Sequence, residues 1–198
     1  MTHRTAALLD HIAPVRGAPA ASAALRALVC VMAGVILLAL LSQVRVPTLP
    51  VPFTGQTLGV LLVGGAFGAP LGLVTVVAYL LLGSIGLPLF AGAESGVAYA
   101  LGPTGGYLLG FALAAGVLGY LSRRGWDRNV LTCAAAMVLA NALIYVPGLL
   151  WLRASLHLSW EATLAAGLTP FLLGDLIKLL TAAAALPAAW RAVGRRAA

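Results

Sequence analysis

Six apolar segments, separated by short polar or Pro- and Gly-containing stretches, constrain the fold of this chain more than any other feature. They cover residues 25–44, 56–67, 69–85, 104–121, 130–151 and 170–190. A helix needs about 20 mostly apolar residues to cross the hydrocarbon core of a bilayer, and segment 56–67 is too short to do so upright. Apolar residues make up 62% of the chain and charged residues 9%, against about 45–50% and about 25% in soluble domains. The sequence therefore predicts an all-α membrane protein with six transmembrane helices.

The basic residues are distributed as a membrane topology signal. With six spans, nine arginines fall on one side of the membrane, and only Arg45 and Arg153 fall on the other. Arginine and lysine concentrate in cytoplasmic loops, so we expect a multi-pass membrane protein with both termini in the cytoplasm. The net charge of +7 then needs no nucleic-acid partner. The nine arginines are Arg4, Arg16, Arg26, Arg123, Arg124, Arg128, Arg191, Arg195 and Arg196.

The chain is expected to form one membrane domain between two short tails. Residues 1–22 are polar and contain proline and glycine, which predicts a weakly structured cytoplasmic tail rather than a cleaved signal peptide. Residues 23–191 form the six-helix domain, and residues 192–198 form a basic C-terminal tail.

An acid and a base interrupt the last apolar segment. Each charge at the bilayer centre is unfavourable by about 2.5–3.5 kcal/mol on insertion scales, so such residues usually face a partner or a cavity. Asp175 and Lys178 are three residues apart and share one helical face. They either neutralise each other and tie helices together, or they line a polar pocket for a ligand or an ion.

Other polar side chains are predicted at the same depth as this pair. Asn141 and Tyr145 are four residues apart in the outer half of the fifth segment. Tyr107 begins the fourth segment on the outer side, and Tyr79 lies in the outer part of the third. Because an ion pair that only ties helices together would not require this clustering, we predict a pocket in the outer half of the bilayer.

Two loops on the outer side have compositions suited to closing such a pocket. The first loop, residues 46–56, carries three prolines and an apolar tip at Phe53, so it is stiff and extended. The second loop, residues 83–107, is rich in glycine and leucine. Irregular backbone at membrane depth is tolerated where it is buried in protein or lines a cavity. We therefore predict a packed lid, with a solvated connector as the alternative.

The sequence contains no motif for catalysis or nucleotide binding. There is no Walker A sequence, nucleophile elbow or HExxH motif. The three histidines fall outside the apolar segments, and the two cysteines lack a metal-binding spacing. We expect transport rather than catalysis, with no cofactor and no metal site. A small secondary transporter that uses Asp175 as its proton site is the alternative function, and an intramembrane enzyme is a third.

Five stretches of the chain resemble the BioY family, the biotin-specific substrate-binding S components of energy-coupling-factor (ECF) vitamin transporters. They are VPFTGQTLGVLLVG (51–64), YLLLGSIGLPLFAG (79–92), GPTGGYLLGF (102–111), NALIYVPGLLWL (141–152) and PFLLGDLIK (170–178). The resemblance implies a six-helix S-component fold, a location in the bacterial inner membrane and high-affinity biotin uptake. It also implies an energising module of two ATP-binding subunits and a transmembrane coupling subunit. The chain departs from the family pattern at Glu94, where members often carry a basic residue in a glycine-rich segment.

The resemblance also assigns roles to residues. Ala23 and Ala27 match a small-residue face that docks to the coupling subunit. Asp175 can accept hydrogen bonds from the ureido ring of biotin, while Asn141 can donate and accept. Lys178 either compensates Asp175 or contacts a ligand oxygen. The residues assigned to biotin are Phe53, Gln56, Tyr79, Gly92, Tyr107, Asn141, Tyr145, Asp175 and Lys178.

Overall fold

Helices form most of the protein, as the apolar segments predict. The computed structural model describes residues 7–12 and 19–196, with backbone alone for residues 194–196. The long helices are α2 (Ala20–Gln43), α3 (Gln56–Phe67), α4 (Ala69–Ser84), α6 (Gly105–Ser122), α7 (Val130–Leu156) and α9 (Leu172–Arg196). The short elements are α1 (Leu8–Ile12), α5 (Val97–Ala100), α8 (Trp160–Gly167) and a 3₁₀ turn (Thr169–Phe171). Strands β1 (Arg45–Val46) and β2 (Phe53–Thr54) pair antiparallel as a small ribbon.

Each of the six apolar segments forms a helix, but the helices differ in length. Within the described residues, four stretches are long and apolar enough to cross a membrane: Ala20–Gln43, Gly105–Ser122, Val130–Leu156 and Trp160–Val193. Helices α3 and α4 are shorter, with 12 and 16 residues. Only Gly68 separates them, and its φ of +76° lies in a region that L side chains rarely adopt.

Helix α6 lies at the centre of the bundle, where it packs against α3, α4 and α7. Glycines make these approaches possible. A Cβ at Gly106 would collide with the Pro147 carbonyl oxygen, and one at Gly110 would lie 2.6 Å from the Ile144 Cα. Small residues at helix contacts let backbones approach closely inside a membrane. The outer surface is apolar as well, since leucines such as Leu25, Leu28 and Leu40 are more than half exposed.

The end of the bundle that carries Arg123, Arg124 and Arg128, here called the arginine-rich end, contains a buried acid. Asp127 is 2% exposed and accepts a hydrogen bond from the Trp190 indole N–H at 2.5 Å. Its Oδ2 also lies 2.9 Å from the Ser122 hydroxyl, which in turn lies 2.6 Å from the Gly65 carbonyl oxygen. The contacts join the ends of α3, α6 and α9.

Parts of both predicted tails are helical. Helix α1 packs against this end of the bundle: Leu8 is 3% exposed, and the His11 ring meets the Trp190 ring edge-on. Arg26 donates to the Leu9 carbonyl oxygen at 2.9 Å and pairs with Asp10. At the other terminus, α9 continues to Arg196. The N-terminal tail predicted for residues 1–22 thus includes helix α1 and the first residues of α2, and the last helix extends into the predicted basic tail. Residues 1–6, 13–18 and 197–198 lie outside the described parts.

Candidate substrate-binding site

A cavity opens at the end of the bundle opposite Asp127, here called the cavity end. The empty space within it, including the part that is open to solvent, is about 520 Å³. Its lining residues are Val51, Pro52, Phe53, Thr54, Gln56, Thr57, Tyr99, Thr104, Tyr107, Leu108, Phe111, Ile144, Tyr145, Phe171, Asp175 and Lys178. The walls are mostly apolar and the charged groups are confined to one place.

That place is the floor of the cavity, where Asp175 is surrounded by donors. Lys178 Nζ donates to Asp175 Oδ1 at 2.8 Å and to Thr57 Oγ1 at 2.9 Å. The Thr57 hydroxyl donates to the same carboxylate oxygen at 3.2 Å, and the Tyr145 hydroxyl donates to Oδ2. Asp175 is only 6% exposed, so these donors compensate a carboxylate that would otherwise be very unfavourable there. The acid and the base are thus paired, and both also line the cavity.

Phe53 covers the floor from the first loop. Its ring stacks on the Phe171 ring at a centroid distance of 6.0 Å. It also lies so close to the α9 backbone that a Cβ at Gly174 would be 2.6 Å from its Cε2. The loop behind it is braced internally, because Thr48 donates to the Val51 carbonyl oxygen at 2.7 Å and accepts from the Phe53 N–H at 3.1 Å. The stiff loop predicted from the prolines therefore positions one aromatic ring over the charged pair.

A hydrogen-bonded chain leads away from the cavity behind Gln56. The Thr54 hydroxyl donates to Gln56 Oε1 at 2.8 Å, and Gln56 Nε2 donates to the Tyr79 hydroxyl oxygen at 2.7 Å. Tyr79 donates onward to the Leu89 carbonyl oxygen at 2.9 Å. Gln56 thus lines the cavity, whereas Tyr79 is fully buried behind it and supports the second loop.

The second loop is packed onto the bundle, as its apolar residues predict. Phe90 is fully buried and stacks on Tyr99 at 5.0 Å. Gln43 Nε2 donates to the Phe90 carbonyl oxygen at 3.0 Å, and the Trp151 indole N–H donates to the Gly102 carbonyl oxygen at 2.9 Å. These contacts join the loop to the ends of α2 and α7, so a solvated connector is excluded.

The structure brings six of the nine assigned residues to the cavity: Phe53, Gln56, Tyr107, Tyr145, Asp175 and Lys178. Tyr79, Gly92 and Asn141 do not line it. Asn141 lies one helical turn from Tyr145, and its buried Oδ1 has no hydrogen-bond partner among the described residues. The Gly92 backbone instead faces the Arg45 guanidinium. The residues at the predicted docking face, Ala23 and Ala27, are half-buried on α2 beside Arg26.

Several lining residues were not predicted from the sequence. Thr57, Tyr99 and Thr104 contribute hydroxyl groups, and Phe171 contributes a ring. Thr57 follows Gln56 at the start of a helix, where threonine is unremarkable, and nothing in its pattern indicates contact with Lys178. Tyr99 and Thr104 did carry a signal, since polar side chains are scarce in the second loop.

The fold and the cavity together define a helical membrane protein with a mainly apolar cavity above a charged pair. The chain belongs to the BioY family, whose model matches residues 14–195. It is 36% identical to the biotin transporter BioY2 of Lactococcus lactis subsp. cremoris over 159 residues, which is 79% of this chain and 85% of the relative. It is 38% identical to the biotin transporter BioY of Thermotoga maritima over 140 residues, 71% of this chain and 81% of the relative. These relatives are transporters, not enzymes.

A solved structure has the same fold. The crystal structure of the S-component for biotin from an ECF-type ABC transporter matches with a TM-score of 0.78 at 24% identity. The match covers 88% of this chain and 95% of the other. The protein therefore has the S-component fold that the sequence resemblance implies.

Proposed function

We propose that this protein is the biotin-binding S component of an ECF transporter and that it captures biotin in the cavity. The observation that carries the proposal is the Asp175 carboxylate at the floor of a mainly apolar cavity, in a chain whose relatives transport biotin. Biotin combines a polar ureido ring with an apolar thiophane ring and valerate chain. The cavity likewise combines a charged floor with mainly apolar walls.

The hydrogen bonds at the floor leave room for a ligand donor. A carboxylate has about four lone-pair sites, and Lys178, Thr57 and Tyr145 fill three of those on Asp175. A ureido N–H can occupy the fourth. The ureido carbonyl oxygen needs a donor, and Lys178 can provide one because its ammonium has three protons.

The apolar wall suits the rest of the molecule. Leu108, Phe111, Ile144 and Phe171 line the cavity beyond the charged pair, and burial of apolar surface contributes roughly 25 cal/mol per Å². Phe53 closes the site from the first loop. Release and entry of biotin then require this loop to move, as in other sites that close over their ligand.

The orientation proposed from the arginines places the cavity end outside and Arg123, Arg124 and Arg128 in the cytoplasm. Helices α2, α3, α4, α6, α7 and α9 are the six spans, with α3 and α4 as a short consecutive pair. The coupling subunit and two ATP-binding subunits supply the energy for transport, since the chain carries no Walker A sequence of its own. Docking involves the beginning of α2 around Ala23 and Ala27.

Calorimetry on the detergent-purified protein tests the proposal. Biotin should bind at a stoichiometry of one, and mass spectrometry of a gently purified sample should detect the co-purified vitamin. Desthiobiotin, which keeps the ureido ring, should also bind, whereas lipoate, which lacks it, should not. Absence of biotin binding, or equal binding of lipoate, would contradict the proposal.

The same titration separates biotin capture from proton-coupled transport. If Asp175 remains ionised beside Lys178, the binding enthalpy should be the same in buffers of different ionisation enthalpy after correction for dilution. A secondary transporter that protonates Asp175 on binding would take up about one proton per ligand. The enthalpy would then vary linearly with the buffer.

A further inference from the structure

The carboxylate of biotin has no charged partner in the site described so far, because the acid and the base at the floor balance each other. Asp175 and Lys178 cancel each other at the floor. Biotin is a monoanion at neutral pH because its valerate chain ends in a carboxylate. A carboxylate held against a protein surface is stabilised by a fixed cation, and arginine binds this group in a bidentate manner. The inference that follows rests on the proposed function.

Two arginines occur at the cavity end among the described residues, and they differ in position. Arg153 stacks its guanidinium over the exposed Trp160 ring at 4.8 Å, at the end of α7. Arg45 lies on β1, directly opposite Thr54 of β2. Side chains of directly opposed residues lie on the same face of an antiparallel pair. Because Thr54 lines the cavity, Arg45 is the cross-strand neighbour of a lining residue.

The Arg45 guanidinium lies between the two loops. At position 92, a Cβ would be 2.6 Å from the Arg45 Cζ and 2.8 Å from its Nη2, so the guanidinium occupies space that a side chain at residue 92 would take. Gly92 also has a φ of +80°, which favours glycine independently. Gly92 does not line the cavity, but it leaves space for the Arg45 guanidinium beside the second loop.

A neutral hydroxyl group of the second loop also lines the cavity. Tyr99 lines the cavity, and burial raises the pKa of its phenol, so the hydroxyl stays protonated and can donate. The charges of Glu94 and Arg45 also act on that hydroxyl, in opposite directions. Among the described residues, Arg45 forms no ion pair with Glu94 or any other acid, so its donors are available.

We propose that Arg45 binds the carboxylate of the ligand at the mouth of the cavity, with the Tyr99 hydroxyl as a second donor. Biotin then spans the site, with its ureido ring at Asp175 and its carboxylate at Arg45. The ligand joins the first loop, which carries Arg45 at its base, to the second loop, which carries Gly92 and Tyr99. Arg45 is thus a specificity-determining residue that distinguishes the acid from uncharged derivatives.

The test compares biotin with biotinamide, which is the same molecule without the negative charge. Arg45→Ala should weaken biotin binding at least tenfold in calorimetry and change biotinamide binding less than twofold. Arg45→Lys should keep part of the difference because it retains the charge but not the bidentate geometry. Arg153→Ala is the matched control at the same end and should change neither affinity.

The outcomes separate this inference from the proposed function. Asp175→Asn should weaken biotin and biotinamide alike, because it acts on the ureido ring that both share. If Arg45→Ala weakens both ligands equally, or neither, the carboxylate site is overturned, and retained biotinamide binding shows that the variant is folded. Failure of the unmodified protein to bind either ligand would instead reject biotin capture itself.

Discussion

The ammonium of Lys178 lies 3.8 Å from the centre of the Phe53 ring. The ring covers the ion pair, so the residue that closes the cavity also contacts its charged floor. Cation–π contacts of this kind contribute about 0.5–2 kcal/mol, more as water is excluded. Because Phe53 belongs to the first loop, a movement of this loop would take the ring away from the Asp175–Lys178 pair.

Phe53→Ala should raise the dissociation rate of biotin more than it lowers the association rate. The ring closes the site after the ligand has entered, and affinity changes within one site fall mainly on dissociation. Stopped-flow measurement of both constants checks this. Leu49→Ala is the control, since Leu49 lies in the same loop and is 94% exposed. An unchanged dissociation rate would show that the first loop is a passive connector.

Asp175→Asn should weaken biotin binding at least tenfold, or about 1.4 kcal/mol. A charged acceptor is replaced by a weaker neutral one, and Lys178 loses its ion-pair partner. Titration calorimetry measures the loss. Glu161→Gln removes an exposed carboxylate near the start of α8 and should leave the affinity unchanged. A normal affinity for Asp175→Asn would remove Asp175 from the site.

Gly106→Ala should lower the thermal stability of the detergent-purified protein, because its Cβ would collide with the Pro147 carbonyl oxygen of α7. Overpacking of this kind destabilises by about 1–3 kcal/mol. Gly116→Ala, ten residues along the same helix, meets nothing within 4 Å and should have an equal or higher Tm because alanine favours the helix. Thermal denaturation measures the Tm of both variants, and an equal change in Tm for the two would contradict the prediction.

Asp127→Asn should stabilise the protein at neutral pH by an amount that shrinks as the pH falls. Burial raises the pKa of Asp127 above its usual 3.8. The Ser122 hydroxyl is within donating distance of both the Gly65 carbonyl oxygen and Asp127 Oδ2, so its single proton compensates the buried carboxylate only in part. Arg128 acts in the opposite direction by favouring the charged form.

The sign of this pH dependence follows from linkage. Between 3.8 and the raised folded-state value, the folded protein binds the proton and the unfolded chain does not. Stability is therefore lost as pH rises through that window, by at most about 1.4 kcal/mol per unit. Denaturation midpoints of both proteins from pH 4 to 8 give the difference. A difference that does not change with pH would mean that Asp127 is ionised throughout.

Hydropathy was sufficient to place the long helices but not the details at their ends. All six apolar segments correspond to helices, and segment 130–151 begins at the same residue as α7. Helix α8 was missed because it is short and amphipathic, although Ser159 caps it by accepting from the Ala162 N–H at 3.2 Å. The extension of α9 to Arg196 was missed because its last turns are polar, and composition alone does not distinguish a polar helix from a tail.

For the site, the sequence predicted which residues lie at the same level better than it predicted which way their side chains point. Asp175 and Tyr145 were expected at one level and share a hydrogen bond. Asn141 is on nearly the same face of α7 but one turn away, and that distance removes it from the cavity. Tyr79 lies at a suitable depth but behind Gln56. When a helix is apolar on all sides, its pattern does not fix its rotation about its own axis, so lining residues have to be found from packing.

The hydrogen bond from the Trp151 indole to the Gly102 carbonyl oxygen has a spectroscopic consequence. Indole emission depends on the hydrogen bonding and polarity around the ring, and Trp151 is joined to the second loop beside the cavity. The Trp190 indole is held by Asp127 at the opposite end. With phenylalanine at positions 126, 160 and 190, the fluorescence of the protein would come from one indole that is attached to the loop, and its emission would record the loop's position without any added label.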